Sequence, residues 1–134
     1  LDPGYRRLFV DYLRDYARSE NKTVILTSHI IQDMERLIDD CIIMDYGSIL
    51  IQQPIETLMK ELRRYTCTVP EGYQPQLPAT CYHPAVIRQT LETYSFLPPM
   101  DVEKLLKESQ VPFTGLQHEN VSLEDAFIGL TGKY

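Results

Sequence analysis

His29 closes the stretch TVILTSH (residues 23–29), where a β-branched apolar run ends in an imidazole. A neutral imidazole offers one donor and one acceptor, enough to touch an anionic oxygen while holding a neighbouring group. If Thr23–Thr27 is a strand, His29 stands beyond its carboxyl end, the edge at which open α/β sheets bind ligands. The plainer reading is a satisfied histidine at a helix start, and spacing alone favours it. Asp2, followed by Pro3 and Gly4, invites the same pair of readings. It is an N-cap acceptor before a proline at the first helical position, or a carboxylate facing a partner. Cys81 and His83 stand two apart, but no second ligand pair has a finger-like spacing, and they read as ordinary residues. Gly132-Lys133 is not preceded by the spaced glycine of a phosphate loop, because position 127 is Phe and Tyr134 follows.

The elements that must carry these residues alternate. Tyr5, Leu8, Phe9, Tyr12, Leu13, Tyr16 and Ala17 recur at helical spacing, predicting an amphipathic helix that ends near Ser19 to Asn21. Its tyrosines at 5, 12 and 16 read as core or flanking contacts. Thr23–Thr27 follows as a strand whose continuous apolar run suits a parallel sheet covered on both faces. Ser28 is expected to cap a helix with Ile31, Met34, Leu37 and Ile38 inward, and with Asp33, Glu35, Asp39 and Asp40 on a solvated face or, alternatively, against a partner subunit. Cys41–Asp45 reads as a second buried strand, Asp45–Ser48 as a turn, Ile49–Gln52 as the returning strand of a hairpin, and Pro54 as the start of another helix. One or two sheet strands cannot bury their own faces, so residues 1–64 look like the last part of a larger α/β domain.

From Tyr65 the character changes. TCTVPEGYQPQLPATCYHP (66–84) holds four prolines and reads as a strand edge followed by irregular loops. VIRQTLETYSFLPP (86–99) is open to strand or helix. Asp101–Ser109 predicts a helix capped by Asp101, Val111–Glu119 a strand, and Ser122–Leu130 a closing helix with a Ser122/Asp125 capping box. Residues 65–134 therefore form a small α+β unit by expectation.

Composition excludes several classes. The chain is 43% hydrophobic and 24% charged, as a globular protein is, and its net charge of −6 with scattered Lys and Arg argues against a nucleic-acid partner. No apolar run reaches the ~18–20 residues that cross a bilayer, and no signal peptide is evident. Three widely spaced cysteines fit a reducing compartment better than a disulfide framework. The chain opens on Leu1 rather than methionine, and is expected to be part of something longer.

LDPGYRRLF, TVILTSH, DMERLIDDCIIMDYGSIL and SLEDAFIGLTG occur in one order along the chain. That ordered set resembles the C-terminal end of ABC transporter ATP-binding (ATPase) subunits. The resemblance is close over residues 1–62 and loose over 65–134, where it rests on the last helix. It implies the C-terminal portion of a P-loop NTPase sheet followed by a small α+β accessory domain, as in export or drug-efflux members. Leu1-Asp2-Pro3 is similar to the end of the D-loop, with Arg6 as the arginine that follows it, and Thr27-Ser28-His29 to the switch-histidine motif. By that likeness His29 would contact the γ-phosphate and help align the attacking water, and Asp2 would reach a second nucleotide-binding subunit. The likeness also implies ATP and Mg2+ in the whole protein, transmembrane permease partners, and a peripheral place on the cytoplasmic face of the membrane. The glycine-rich phosphate loop, the LSGGQ-like signature and the acidic magnesium-binding strand do not occur in these 134 residues. Gln53 also replaces the glycine that many relatives carry before the proline. Residues 1–134 alone are therefore expected to hold no cofactor and hydrolyse no ATP. An alternative reading is a regulatory or dimerisation module, and self-association of the chain is a further expectation.

Overall fold

Proline at the first helical position, followed after Gly4 by no further glycine or proline as far as Ser19, starts and sustains the first element. The computed structural model describes residues 2–28, 31 and 34–132. Helix α1 spans Pro3–Ser19, and Asn21 follows it with a left-handed φ of 52°, a conformation asparagine tolerates. The predicted span holds. The predicted packing does not, because α1 buries Val10, while Tyr5, Leu8, Phe9, Tyr12 and Tyr16 are exposed, Leu8 and Tyr12 at 66% each. The tyrosines are therefore not core contacts among the described residues; Tyr12 and Tyr16 stack on each other, centroids 6.4 Å apart.

Residues 22–28 form no strand, and Ile25 is 89% exposed. An apolar run becomes a strand only where a neighbour supplies the ladder, and no described strand pairs with this one. The expected helix after Ser28 is represented among the described residues by a single 3₁₀ turn, Met34–Arg36.

Strands β1 (Asp40–Asp45) and β2 (Ser48–Pro54) form an antiparallel hairpin. Tyr46 and Gly47 both have positive φ, 49° and 75°, the geometry that lets a two-residue turn follow the strand twist. β1 is half-buried rather than fully buried: Cys41 and Ile43 face inward, while Ile42 and Met44 are exposed, as an antiparallel ribbon with one covered face requires. Helix α2 (Ile55–Glu61) starts directly after Pro54 and buries Leu58.

The second sheet is antiparallel with strand order β4-β5-β3-β6, where β3 is Arg63–Thr68, β4 Tyr82–Ile87, β5 Thr90–Ser95 and β6 Thr114–Asn120. The segment from Tyr82 to Ser95 resolves as a hairpin, and β3 is an inner strand rather than an edge. Helix α3 covers Pro99–Glu108; its N-cap is Pro98, so Asp101 lies in the first turn, where its charge favours the helix dipole without capping it. Helix α4 covers Leu123–Thr131. No parallel strand pair occurs among the described residues, so the fold is a mixed α/β arrangement of antiparallel sheets.

Two apolar clusters divide the interior. One joins Tyr65, Cys67 and Leu91 of the four-stranded sheet to Val102 and Leu106 of α3. The other joins Cys41, Ile43 and Ile51 of the hairpin, Leu58 and Leu62, Tyr94, and Leu123, Ala126 and Leu130 of α4. Helix α4 thus lies between the opposite face of the four-stranded sheet and the hairpin. The core of the first half is completed by a helix from the second.

Candidate functional site

The backbone carbonyl of Asp2 accepts the first helical hydrogen bond from Arg6 N (2.9 Å), which makes Asp2 the N-cap residue. Its carboxylate caps no helix N–H and is exposed, so the N-cap position is as predicted and the expected side-chain capping does not occur. His29 lies outside the described residues, as does Asp33.

The chain resumes its description at Ile31 and Met34, which pack, with Ile38, against the cluster that α4 shares with the hairpin. The 3₁₀ turn carries two polar links. Arg36 Nη2 donates to Asp11 Oδ1 of α1 at 2.6 Å. Glu35 Oε1 accepts from the backbone N–H of Leu123, the first residue of α4, at 2.5 Å. Ser122 Oγ accepts from Asp125 N at 3.1 Å, the predicted capping contact. Two orphan donors of the α4 N-terminus are therefore met by two acceptors, one local and one from 88 residues away. Sequence reasoning assigned Glu35 to a solvated face. Nothing in its local spacing signals the second contact, because periodicity reports a helix face and not what a distant element brings to it.

His83 donates through Nε2 to the carbonyl of Leu130 (3.1 Å), in the last turn of α4, and its ring lies close to Gly132. The imidazole serves a helix end rather than a ligand. Cys81 is buried, and burial pushes its thiol pKa up, as it does for Cys41 and Cys67. A shallow depression lined by Glu71, Gly72, Tyr73, Gln74, Val86 and Arg88 carries none of the predicted site residues. Among the described residues no three His, Cys, Asp or Glu side chains come together as a metal site, and no helix is long and apolar enough to cross a membrane. The sequence holds no glycine-rich phosphate loop.

Comparison with known proteins places these observations. The chain is 33% identical to a Nod factor export ATP-binding protein I of Ralstonia nicotianae, over 99% of this chain and 44% of that protein. It is 31% identical to the protein of the same name from a Rhizobium species, with the same shares covered. This chain is a relative of the ATP-binding subunits of ABC transporters. It is consistent with their C-terminal part, and it spans less than half the length of these relatives. A shorter match, 38% over 61 residues, covers 46% of this chain and 21% of an energy-coupling factor transporter ATP-binding protein of Staphylococcus aureus. No family model matches the chain. Whole-chain similarity thus goes to export proteins, and a half-chain similarity reaches a differently named ABC ATP-binding subunit.

Proposed function

We propose that this chain is the C-terminal portion of an ABC transporter ATP-binding subunit that couples ATP binding and hydrolysis to transport in the export direction. The observation that carries the proposal is similarity over 99% of the chain to a Nod factor export ATP-binding protein. In this reading residues 1–64 complete the nucleotide-binding domain, and residues 65–134 are its accessory domain. His29 is the switch residue that contacts the γ-phosphate, and the exposed Asp2 meets a second ATP-binding subunit. Permease subunits would hold the assembly at the cytoplasmic face of the membrane. ATP and Mg2+ would be gripped by groups that precede this chain's residues in the complete subunit, so no hydrolytic step is assigned to residues 1–134 alone.

The test compares His29→Ala in two settings. In the complete subunit, the substitution is expected to lower ATP turnover by at least about a hundredfold, within the range for removing a positioned catalytic group. In the 134-residue chain it is expected to change nothing, because there is no turnover to lose. His29-dependent hydrolysis by the chain alone, or an unaffected complete subunit, overturns the proposal.

A further inference from the structure

The turn that follows His29 is held from two sides. Arg36 ties it to α1, the helix that Asp2 opens, through Asp11. Glu35 ties it to α4 by accepting the Leu123 N–H, and Ile31, Met34 and Ile38 pack on the cluster containing Leu123, Ala126 and Leu130. Met34–Arg36 is therefore a junction among the element that begins at Asp2, the segment that carries His29, and the last helix of the chain.

A carboxylate at a helix N-terminus is held both by the free N–H and by the helix dipole. Displacing α4 and displacing Glu35 are thus coupled events. We infer that Glu35 is a positioning residue through which α4 acts on the His29 segment, so that residues 65–134 set the rate of ATP turnover without touching nucleotide. This rests on the function proposed above. Reciprocity follows from the coupling: a ligand that biases the His29 segment must also bias the N-terminus of α4.

The experiment uses the complete subunit, with ATP as the probe. Glu35→Ala is expected to lower kcat by at least about tenfold, the scale of one lost hydrogen bond to a charged acceptor, with KM for ATP within twofold. Glu35→Gln, which keeps an acceptor oxygen, is expected to recover most of that loss. Ser122→Ala removes the other α4 cap while leaving the Glu35 contact, and is expected to leave kcat unchanged. Amide hydrogen exchange supplies a readout independent of turnover. ATP is expected to alter exchange at the start of α4 in the parent sequence, and to have no effect there in Glu35→Ala. Unaltered kcat in Glu35→Ala alongside a severe loss in His29→Ala overturns the inference and leaves the proposed function standing. Equal losses in Glu35→Ala and Ser122→Ala also overturn it, by reducing Glu35 to a helix cap. An inert His29→Ala overturns the functional reading itself.

Discussion

Gly129 shows how tightly single residues are constrained where α4 meets the sheet. A Cβ built there would lie 2.4 Å from Cδ2 of Tyr94, closer than packed atoms come, and Tyr94 is itself buried. Alanine is the better helix former by about 1 kcal/mol. Gly129→Ala is nevertheless expected to destabilise the chain by about 1–3 kcal/mol, because the ring has to be displaced within a filled core. Urea unfolding of the two proteins checks this, and a stabilised variant would mean that the helix–sheet approach is looser than described. Gly129 was not singled out in the sequence, since a glycine inside a helical stripe signals nothing until the neighbour across it is known. Asp2 and His83 bear on the same point. Asp2 was expected to cap a helix with its side chain, and the structure shows no such contact; His83 was read as an ordinary residue, and it bonds a helix-end carbonyl.

At the scale of elements, local signals worked where local chemistry decides. The Ser122 cap, the left-handed Gly132 at φ 72° and the stripe Leu123, Ala126 and Leu130 mark the bounds and inner face of α4 locally. Ser122→Ala is expected to cost about 1 kcal/mol of stability, measurable as a shift in the chain's urea midpoint with little change in slope; no shift would mean that Glu35 alone suffices as the cap. The hairpin turn at Tyr46–Gly47 was equally legible. Local signals failed for Thr23–Thr27, where strand formation depends on a neighbour, and for β3, whose place inside the sheet is set by β5 on one side and β6 on the other. The cross-strand register of β3 with β6 also brings Arg64 opposite Glu119, where the two side chains pair. The carboxylate holds the guanidinium pKa above its ordinary value, but at this exposed position the pair is a small contribution to stability.

For the whole molecule, two consequences follow from how surface is distributed. The uncovered stripe of Tyr5, Leu8, Phe9 and Tyr12 and the exposed run at Val24–Leu26 place contiguous apolar groups in water. Residues 1–134 by themselves are expected to self-associate, with light scattering showing mass that rises with concentration; a strict monomer across a wide range would rule this out. The interior predicts a pH response. Burial raises the pKa of the Tyr65 and Tyr94 hydroxyls above their ordinary 10.0, and of the three thiols above 9.0. The unfolded chain gives up these protons at lower pH than the folded one, so the unfolded state gains as pH rises. This part of the stability is fully present below about pH 9 and is lost as pH climbs through the raised values. Thermal melting from pH 8 to 11 is expected to show a steadily falling midpoint, and a flat profile would contradict the burial of these groups.

The order of the motifs, the span of α1, the hairpin turn and the cap of α4 were written in the residues themselves, because each depends on backbone preferences and periodicities within a few positions. Kinship with ABC ATP-binding subunits could be read the same way, from short segments in a conspicuous order. Tertiary structure alone decided which apolar faces are covered, that the first half's core is closed by a helix from the second, and that Glu35 turns to the start of that helix. Those outcomes depend on groups brought together from distant parts of the chain, and no local pattern encodes what a side chain will meet.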